Sequence, residues 1–413
     1  MIKYSSIIGI NVSVIIILCI GFPFSAESQQ VVTSFPFIKM EHNHLYFSND
    51  SSAFLKLYQK FDDLLSKKIN KVGVVHFGGS HVQAGTWSST FVNNFQNDFK
   101  TKGGGYFVFP FKIAKTNEQA FASTFSSGSW KRYRSIGKDD CYPLGMNAMS
   151  ISNKDSSSNF GVYITQKAIC KNFNSIKVYH NFNDAYEFTI DSLFQLKFSR
   201  LDDKASGYSI FNFDEPIDSL NFKLLRKDSL HGDFILFGFS LDNKTEPGFY
   251  FAGLGANGAT SGSFLKCVDL LPQFKSLEAD LVIISLGVND TQSKDFAKEE
   301  YIENYDSLIT VIKLARPDAA IILTTTTDNF IKRKTSNKRT ILARDAMFEL
   351  MKKHNVAVWD LFTIMGGYKS IMKWQKLGLA GRDRVHFSPK GYTLIGNLMF
   401  EAVKKSYLNN QKK

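Results

Sequence analysis

Cysteine and proline are both scarce in this chain, four and nine in 413 residues, and each scarcity removes a class of structure. Cys19 falls inside an apolar leader, which leaves Cys141, Cys170 and Cys267, an odd number with no C-x-x-C pair. A disulfide-stapled scaffold and a C-x-x-C metal or redox motif are therefore excluded, while one bridge, Cys141 to Cys170, is permitted by export but not required. So little proline argues against long linkers. Charged residues reach only 21 % and hydrophobic ones 44 %, a balance that excludes wholesale disorder, collagen-like and coiled-coil organisation. No internal repeat or low-complexity tract is present. What the chain has in quantity is phenylalanine, 38 residues, which favours half-buried strands and points to substantial β-structure. Its length suffices for two or three domains, each with its own core.

One apolar run could meet a membrane. Ile7 to Phe24 follows Lys3 and gives way to Ser25 and Ala26, the layout of a secretory signal peptide, either cleaved or retained as an anchor. Residues 1–28 are thus read as an export leader, and the remainder as periplasmic, cell-surface or extracellular. Leu18 before Cys19 is too bulky for a lipoprotein site. The formal net charge of +12 draws an exported protein towards anionic surfaces such as head groups, cell walls or acidic polysaccharides. Nucleic acid is a poor partner, because no zinc-finger spacing, basic zipper or aromatic RNA-binding signature occurs. The basic residues are dispersed except at Lys131, Arg132 and Arg134, and at Lys332, Arg333, Lys334, Lys338 and Arg339.

Hydrophobic periodicity divides the chain into three stretches. Apolar residues spaced by three and four predict a helix over Ser51 to Lys68, and Lys71 to Phe77 reads as a strand buried on both faces. A second helix is expected over Gln83 to Phe99, closed by a turn at Gly103-Gly104-Gly105. That triple glycine lacks the lysine and hydroxyl of a phosphate loop. Residues 111–247 carry short strand-like pieces with turn residues about every ten positions, which predicts an inserted β-sandwich. From 248 onwards strands and helices alternate again, implying a parallel sheet covered on both faces, with its site at the carboxyl ends of the strands.

Four short segments at those carboxyl ends carry chemistry. Gly78-Gly79-Ser80-His81 exposes a hydroxyl at a sharp turn into a helix, a position suited to a nucleophile. Gly258 within Asn257-Gly258-Ala259, and Asn289 within Gly287-Val288-Asn289-Asp290, supply an amide and a carboxamide of the kind an oxyanion hole uses. Asp383-Arg384-Val385-His386 sets a carboxylate three residues before an imidazole, the elements of a base and its orienting group. In this order the four segments resemble the SGNH hydrolases, or GDSL-type esterases. The resemblance covers 29–110 and 248–410 and implies a three-layer α/β/α, flavodoxin-like fold, with 111–247 inserted. It further implies catalysis without metal or organic cofactor: Ser80 as nucleophile, His386 as base, Asp383 orienting it, and Ser80, Gly258 and Asn289 forming the oxyanion hole. The chain departs from the family at Gly79, where the family usually has Asp.

The Gly-x-Ser-His start and the long β-rich insertion look like the subgroup containing bacterial peptidoglycan O-acetylesterases, whose inserted module resembles carbohydrate-binding modules. The expected partner is accordingly an acetylated polysaccharide or peptidoglycan. Trp130, beside Ser126 to Ser129 and Lys131-Arg132, is expected on an exposed loop where it could touch a sugar, and Lys332, Arg333 and Lys334 could border the cleft. His42 and His44 lack a nearby third ligand, so no metal site is expected. His76 and His81 are expected to be structural. A lipid or thioester hydrolase, and a glycan-binding protein with a decayed core, remain open alternatives.

Overall fold

Short runs of valine, isoleucine and phenylalanine flanked by amphipathic helices bury themselves on both faces of a central sheet. The computed structural model describes residues 35–136, 142–191, 196–228 and 232–412. The leader and Cys141 lie outside the described residues. The chain divides after Pro36, and the sheets, helices and candidate site all belong to the unit Phe37–Lys413.

The edge strand β1 (Leu45–Tyr46) is followed by helix α1 (Leu55–Leu65), strand β2 (Lys71–Gly78) and helices α2 (Ser80–Gln83) and α3 (Thr86–Asp98). Next comes β3 (Gly103–Val108), a strand where the sequence predicts a turn. Its glycines serve backbone packing: Gly104 has φ +99°, and a Cβ there would lie 2.0 Å from the carbonyl of Phe249. The middle of the chain forms β4 (Ala122–Ser126), β5 (Trp130–Arg134), β6 (Met149–Asn153), β7 (Ser157–Ile164), β8 (Phe173–His180), β9 (Tyr186–Ile190), β10 (Phe198–Asp203), β11 (Tyr208–Ile217), β12 (Ser219–Arg226) and β13 (Phe234–Asn243). The α/β rhythm then resumes with β14 (Gly248–Gly255), α4 (Leu270–Lys275), β15 (Leu281–Ser285), α5 (Val288–Gln292), α6 (Lys298–Ala315) and β16 (Ala320–Thr324). A two-strand hairpin, β17 (Phe330–Ile331) and β18 (Thr335–Ser336), precedes α7 (Arg339–His354), β19 (Ala357–Trp359), α8 (Leu361–Ile364), α9 (Ile371–Lys376) and α10 (Pro389–Gln411).

The order β19-β16-β15-β2-β14-β3 is parallel throughout. At β3 the direction reverses, because β13 pairs with it antiparallel, and β8, β11 and β10 continue the sheet. A second sheet, β4-β7-β12-β9, forms the other layer of a sandwich. Phe160, Phe188 and Phe222 from that sheet meet Phe211, Phe234 and Phe239 from the first at ring-centroid distances of 5.3–6.1 Å. The inserted strands therefore do not hang from the α/β part on a linker; one of their two layers is the continuation of its sheet. Among the described residues Cys170 and Cys267 are buried free thiols; the bridge permitted from Cys170 to Cys141 involves a residue outside them. Among the described residues no helix is long and apolar enough to cross a membrane.

Candidate active site

Three neighbouring strands deliver the candidate groups. In the order β15-β2-β14, Gly78 at the end of β2 is level with Ser285 on one side and Gly255 on the other. Ser80 thus emerges between the turn that carries Gly258 and the turn that carries Asn289. This is where a parallel sheet opens a crevice, since neighbouring chains leave its carboxyl edge on different courses.

The last loop closes over this edge from the opposite end of the chain. Ser80 Oγ lies 2.8 Å from His386 Nε2, and His386 Nδ1 lies 2.7 Å from Asp383 Oδ2. Asp383 Oδ1 also accepts the backbone N–H groups of Val385 and His386, both at 3.0 Å. Partial burial pushes the Asp383 pKa up, but His386 and these two amides outweigh it and hold the carboxyl below its ordinary range. Arg384, between them, has φ +57°; its guanidinium covers the Phe330 ring at 4.8 Å and donates to Gln375. The turn that aims Asp383 at His386 is thereby braced from outside.

Beside Ser80 the donors are unspent. Among the described residues neither the Ser80 nor the Gly258 amide donates to another group of the protein. Asn289 Nδ2 gives one hydrogen to the carbonyl of Ala259 at 2.9 Å, which leaves its second hydrogen free. Asp290 ties the two turns together: its Oδ1 accepts from the Ser261 N–H at 2.9 Å and the Ser261 hydroxyl at 2.6 Å. Burial raises its pKa against the pull of those bonds. At Gly79 a Cβ would sit 3.1 Å from Asn289 Nδ2, so the glycine gives the carboxamide its room.

His76 and His81 are both buried. His76 bonds the hydroxyls of Ser88 and Ser285 at 2.7 and 2.6 Å. His81 Nδ1 bonds Tyr392 Oη at 2.7 Å, and its ring lies 5.4 Å from that of His386. Burial pushes both pKa values down to about 3. His42 bonds the Tyr46 hydroxyl, and His44 lies against the same ring. Sequence reasoning missed Gln83, a wholly buried side chain three residues after Ser80 that accepts the Asn257 N–H at 2.7 Å. Its only signal in sequence is a polar residue on the buried face of a short helix.

The remaining candidates are all at least half-exposed. Lys332, Arg333 and Lys334 form the exposed tip of the β17–β18 hairpin, with φ of +48° and +63° at the first two. None of the three makes an ion pair among the described residues. The hairpin base is bound to the last loop, since the Phe330 N–H donates to the Arg384 carbonyl at 3.0 Å. Trp130 is not on a loop; it opens β5, half-exposed, with Nε1 donating to Ser127 O and its ring against Phe160 and Phe234. It borders an open cleft of ≈ 450 Å³ also lined by Lys112, Lys115, Thr124 and Phe125. The Thr124 hydroxyl there is buried without a partner.

A family model described as the GDSL-like lipase/acylhydrolase family matches residues 238–394, a span holding Gly258, Asn289, Asp383 and His386. Over these residues the chain is similar to this family, the SGNH hydrolases. Ser80 lies outside the matched span, on the far side of the inserted strands. A solved structure of a peptidoglycan O-acetylesterase resembles this protein with a TM-score of 0.70 at 15 % identity, over 88 % of this chain and 99 % of its own. Coverage that wide takes in the sandwich as well as the parallel half, and at that identity the likeness is one of fold. A lipase/acylhydrolase from Enterococcus faecalis matches at 24 % identity over 38 % of this chain and 77 % of its own, TM-score 0.31. A psychrotrophic esterase from Pseudoalteromonas does so at 23 % identity over 39 % and 79 %, TM-score 0.31. Comparison with curated proteins finds no match.

Proposed function

We propose that this protein is an SGNH acylhydrolase, an exported serine esterase that removes O-acetyl groups from a cell-wall or extracellular glycan. The observation that carries the reading is the chain of bonds from Ser80 through His386 to Asp383, beside amides with no other partner. His386 Nε2 takes the proton of Ser80 as Oγ attacks the acetyl carbonyl. Asp383, kept ionised by its own bonds, holds the Nδ1 proton and stabilises the imidazolium. The carbonyl oxygen, now an anion, receives the Ser80 and Gly258 N–H groups and the free hydrogen of Asn289. Collapse of the tetrahedral species expels the sugar alkoxide, which His386 protonates, leaving acetyl-Ser80. Water, deprotonated by His386, attacks that ester, and acetate leaves as Ser80 regains its proton. No metal or organic cofactor is required.

Three features favour a glycan. The fold is shared over 88 % of this chain with a solved structure of a peptidoglycan O-acetylesterase. The cleft at Trp130 joins an aromatic edge to lysines and hydroxyls, a combination that packs on a sugar face and bonds its rim. The net charge of +12 favours an anionic polymer. Acetate release from O-acetylated peptidoglycan and acetylated xylan, with Ser80→Ala alongside, is the test. Release from one polymer should fall by about four orders of magnitude or more in the variant. Retained release in Ser80→Ala would defeat the mechanism, and cleavage of acyl lipids or thioesters alone would defeat the substrate class.

A further inference from the structure

An amide can stabilise an oxyanion only if the turn that bears it is held in one of its alternatives. Ala256 to Ala259 is a β-turn, closed by the Ala259 N–H on the Ala256 carbonyl at 2.9 Å. Gly258 has φ +87° while Asn257 is not in the left-handed region, which makes the turn type II. Asn-Gly equally suits a type I′ turn, in which residue 257 would itself take a positive φ. Between types I′ and II the φ of residue 257 changes from about +60° to about −60°, which turns the Asn257 N–H relative to the Gly258 peptide. The direction of the Gly258 N–H is thus a matter of turn type, and the local sequence does not settle it.

We infer that Gln83 is a positioning residue that holds this turn, and with it the Gly258 amide, in register with Ser80. Its Oε1 accepts the Asn257 N–H at 2.7 Å, and its Nε2 donates to Thr116 Oγ1 at 3.1 Å and to the Asn117 carbonyl at 3.2 Å. The Asn257 side chain donates to Asn117 Oδ1 at 3.0 Å. Residue 257 is therefore fixed through both backbone and side chain. Gln83 is wholly buried, so its own end of each bond is shielded from competing water. It also stands on the same short helix as Ser80, so that one rigid element carries the nucleophile and sets the donor that receives its product. Thr116 and Asn117 come from the start of the inserted segment, which makes that segment a wall of the oxyanion turn.

The inference rests on the esterase reading, and the test separates the two. On an aryl acetate, Gln83→Met should lower kcat about tenfold or more with KM changed less than about twofold, the signature of a contact felt in the transition state. Proline suits the second position of a type II turn, so Asn257→Pro fixes the turn without needing Gln83. In that background Gln83→Met should cost less than about twofold. Equal losses in both backgrounds, or a loss in KM alone, overturn the inference. If Gln83→Met does not fold, Thr116→Val, which removes one partner of the Gln83 carboxamide, serves in its place: it should lower kcat on the aryl acetate about threefold with KM unchanged, and an unchanged kcat overturns the inference. If the parent cleaves no acetyl ester, the esterase reading fails separately. The turn is then read from the rate at which an aryl phosphonate labels Ser80, which Gln83→Met should slow about tenfold and which an unchanged rate would refute.

Discussion

The two halves of the central sheet are built from the same kind of residue and put to different uses. From β19 to β3 the strands run parallel, and β2, β14, β15 and β19 each hand the chain over to a turn or a helix. Backbone groups at those exits are released from the ladder, and here they carry the Ser80, Gly258 and Asn289 donors. From β13 to β10 the strands run antiparallel, neighbours consume one another's amides, and the inner face is filled with phenylalanine. Polar chemistry gathers where the chain leaves the sheet, and packing energy where it folds back into it.

Losing a donor at the parallel edge should have the largest effect. Asn289→Ala is expected to lower kcat on an aryl acetate about a hundredfold or more, with little change in the unfolding midpoint. A loss confined to KM would break the contrast. The opposite signature is expected in the sandwich, where Phe160 is fully buried against Phe188, Phe222, Phe234 and Phe239. Phe160→Ala should cost about 3–5 kcal/mol in denaturant unfolding, with kcat preserved under native conditions. Because β3 and β13 join the halves, one transition should be seen; two would show that they unfold apart.

Acid should act on both halves alike. His76 and His81 in the parallel part and His180 in the sandwich are each pushed by burial down to about 3. Their folded values lie below the ordinary 6.5, so the unfolded chain takes up the protons first. Stability is full above about pH 6.5 and declines as pH falls towards 3, by about 1.4 kcal/mol per pH unit for each histidine. Urea midpoints at pH 7.5 and 5 measure the slope, which His180→Gln should reduce; an unchanged slope would deny His180 its share. The smallest effect is expected at the β17–β18 hairpin. Changing Lys332, Arg333 and Lys334 together to Ser should raise KM on the acetylated polymer a few-fold and leave a small acetyl ester unaffected. Equal effects on both substrates would remove the hairpin from polymer recognition.

Much of this arrangement is legible in the sequence, for reasons that are local. Asp383 and His386 lie three residues apart, and Ser80, Gly258 and Asn289 each follow a short apolar run that ends in glycine. The alternation of strands and helices, and the sandwich of short strands, are likewise written in periodicity. What escapes is set by distant partners. Gly103 to Gly105 looks like a turn and is a strand, because β13 and β14 approach too closely for side chains there. Trp130 sits among serines, yet Phe160 and Phe234 claim one side of it. That β13 would pair with β3, and so merge the insertion with the central sheet, depends on residues on opposite sides of the inserted strands. Gln83 reads as an ordinary helix residue until Asn257 is brought beside it.

The bond between Ser80 and His386 spans 306 residues of chain. A ribosome releases the serine long before the imidazole exists, and the strands that must assemble between them include slow, non-local pairings. Until the last loop docks, Ser80 is an ordinary alcohol. Hydrolytic power in this molecule therefore arrives late and all at once, and a chain cut short or opened between its ends holds every part of the early machinery without the means to use it.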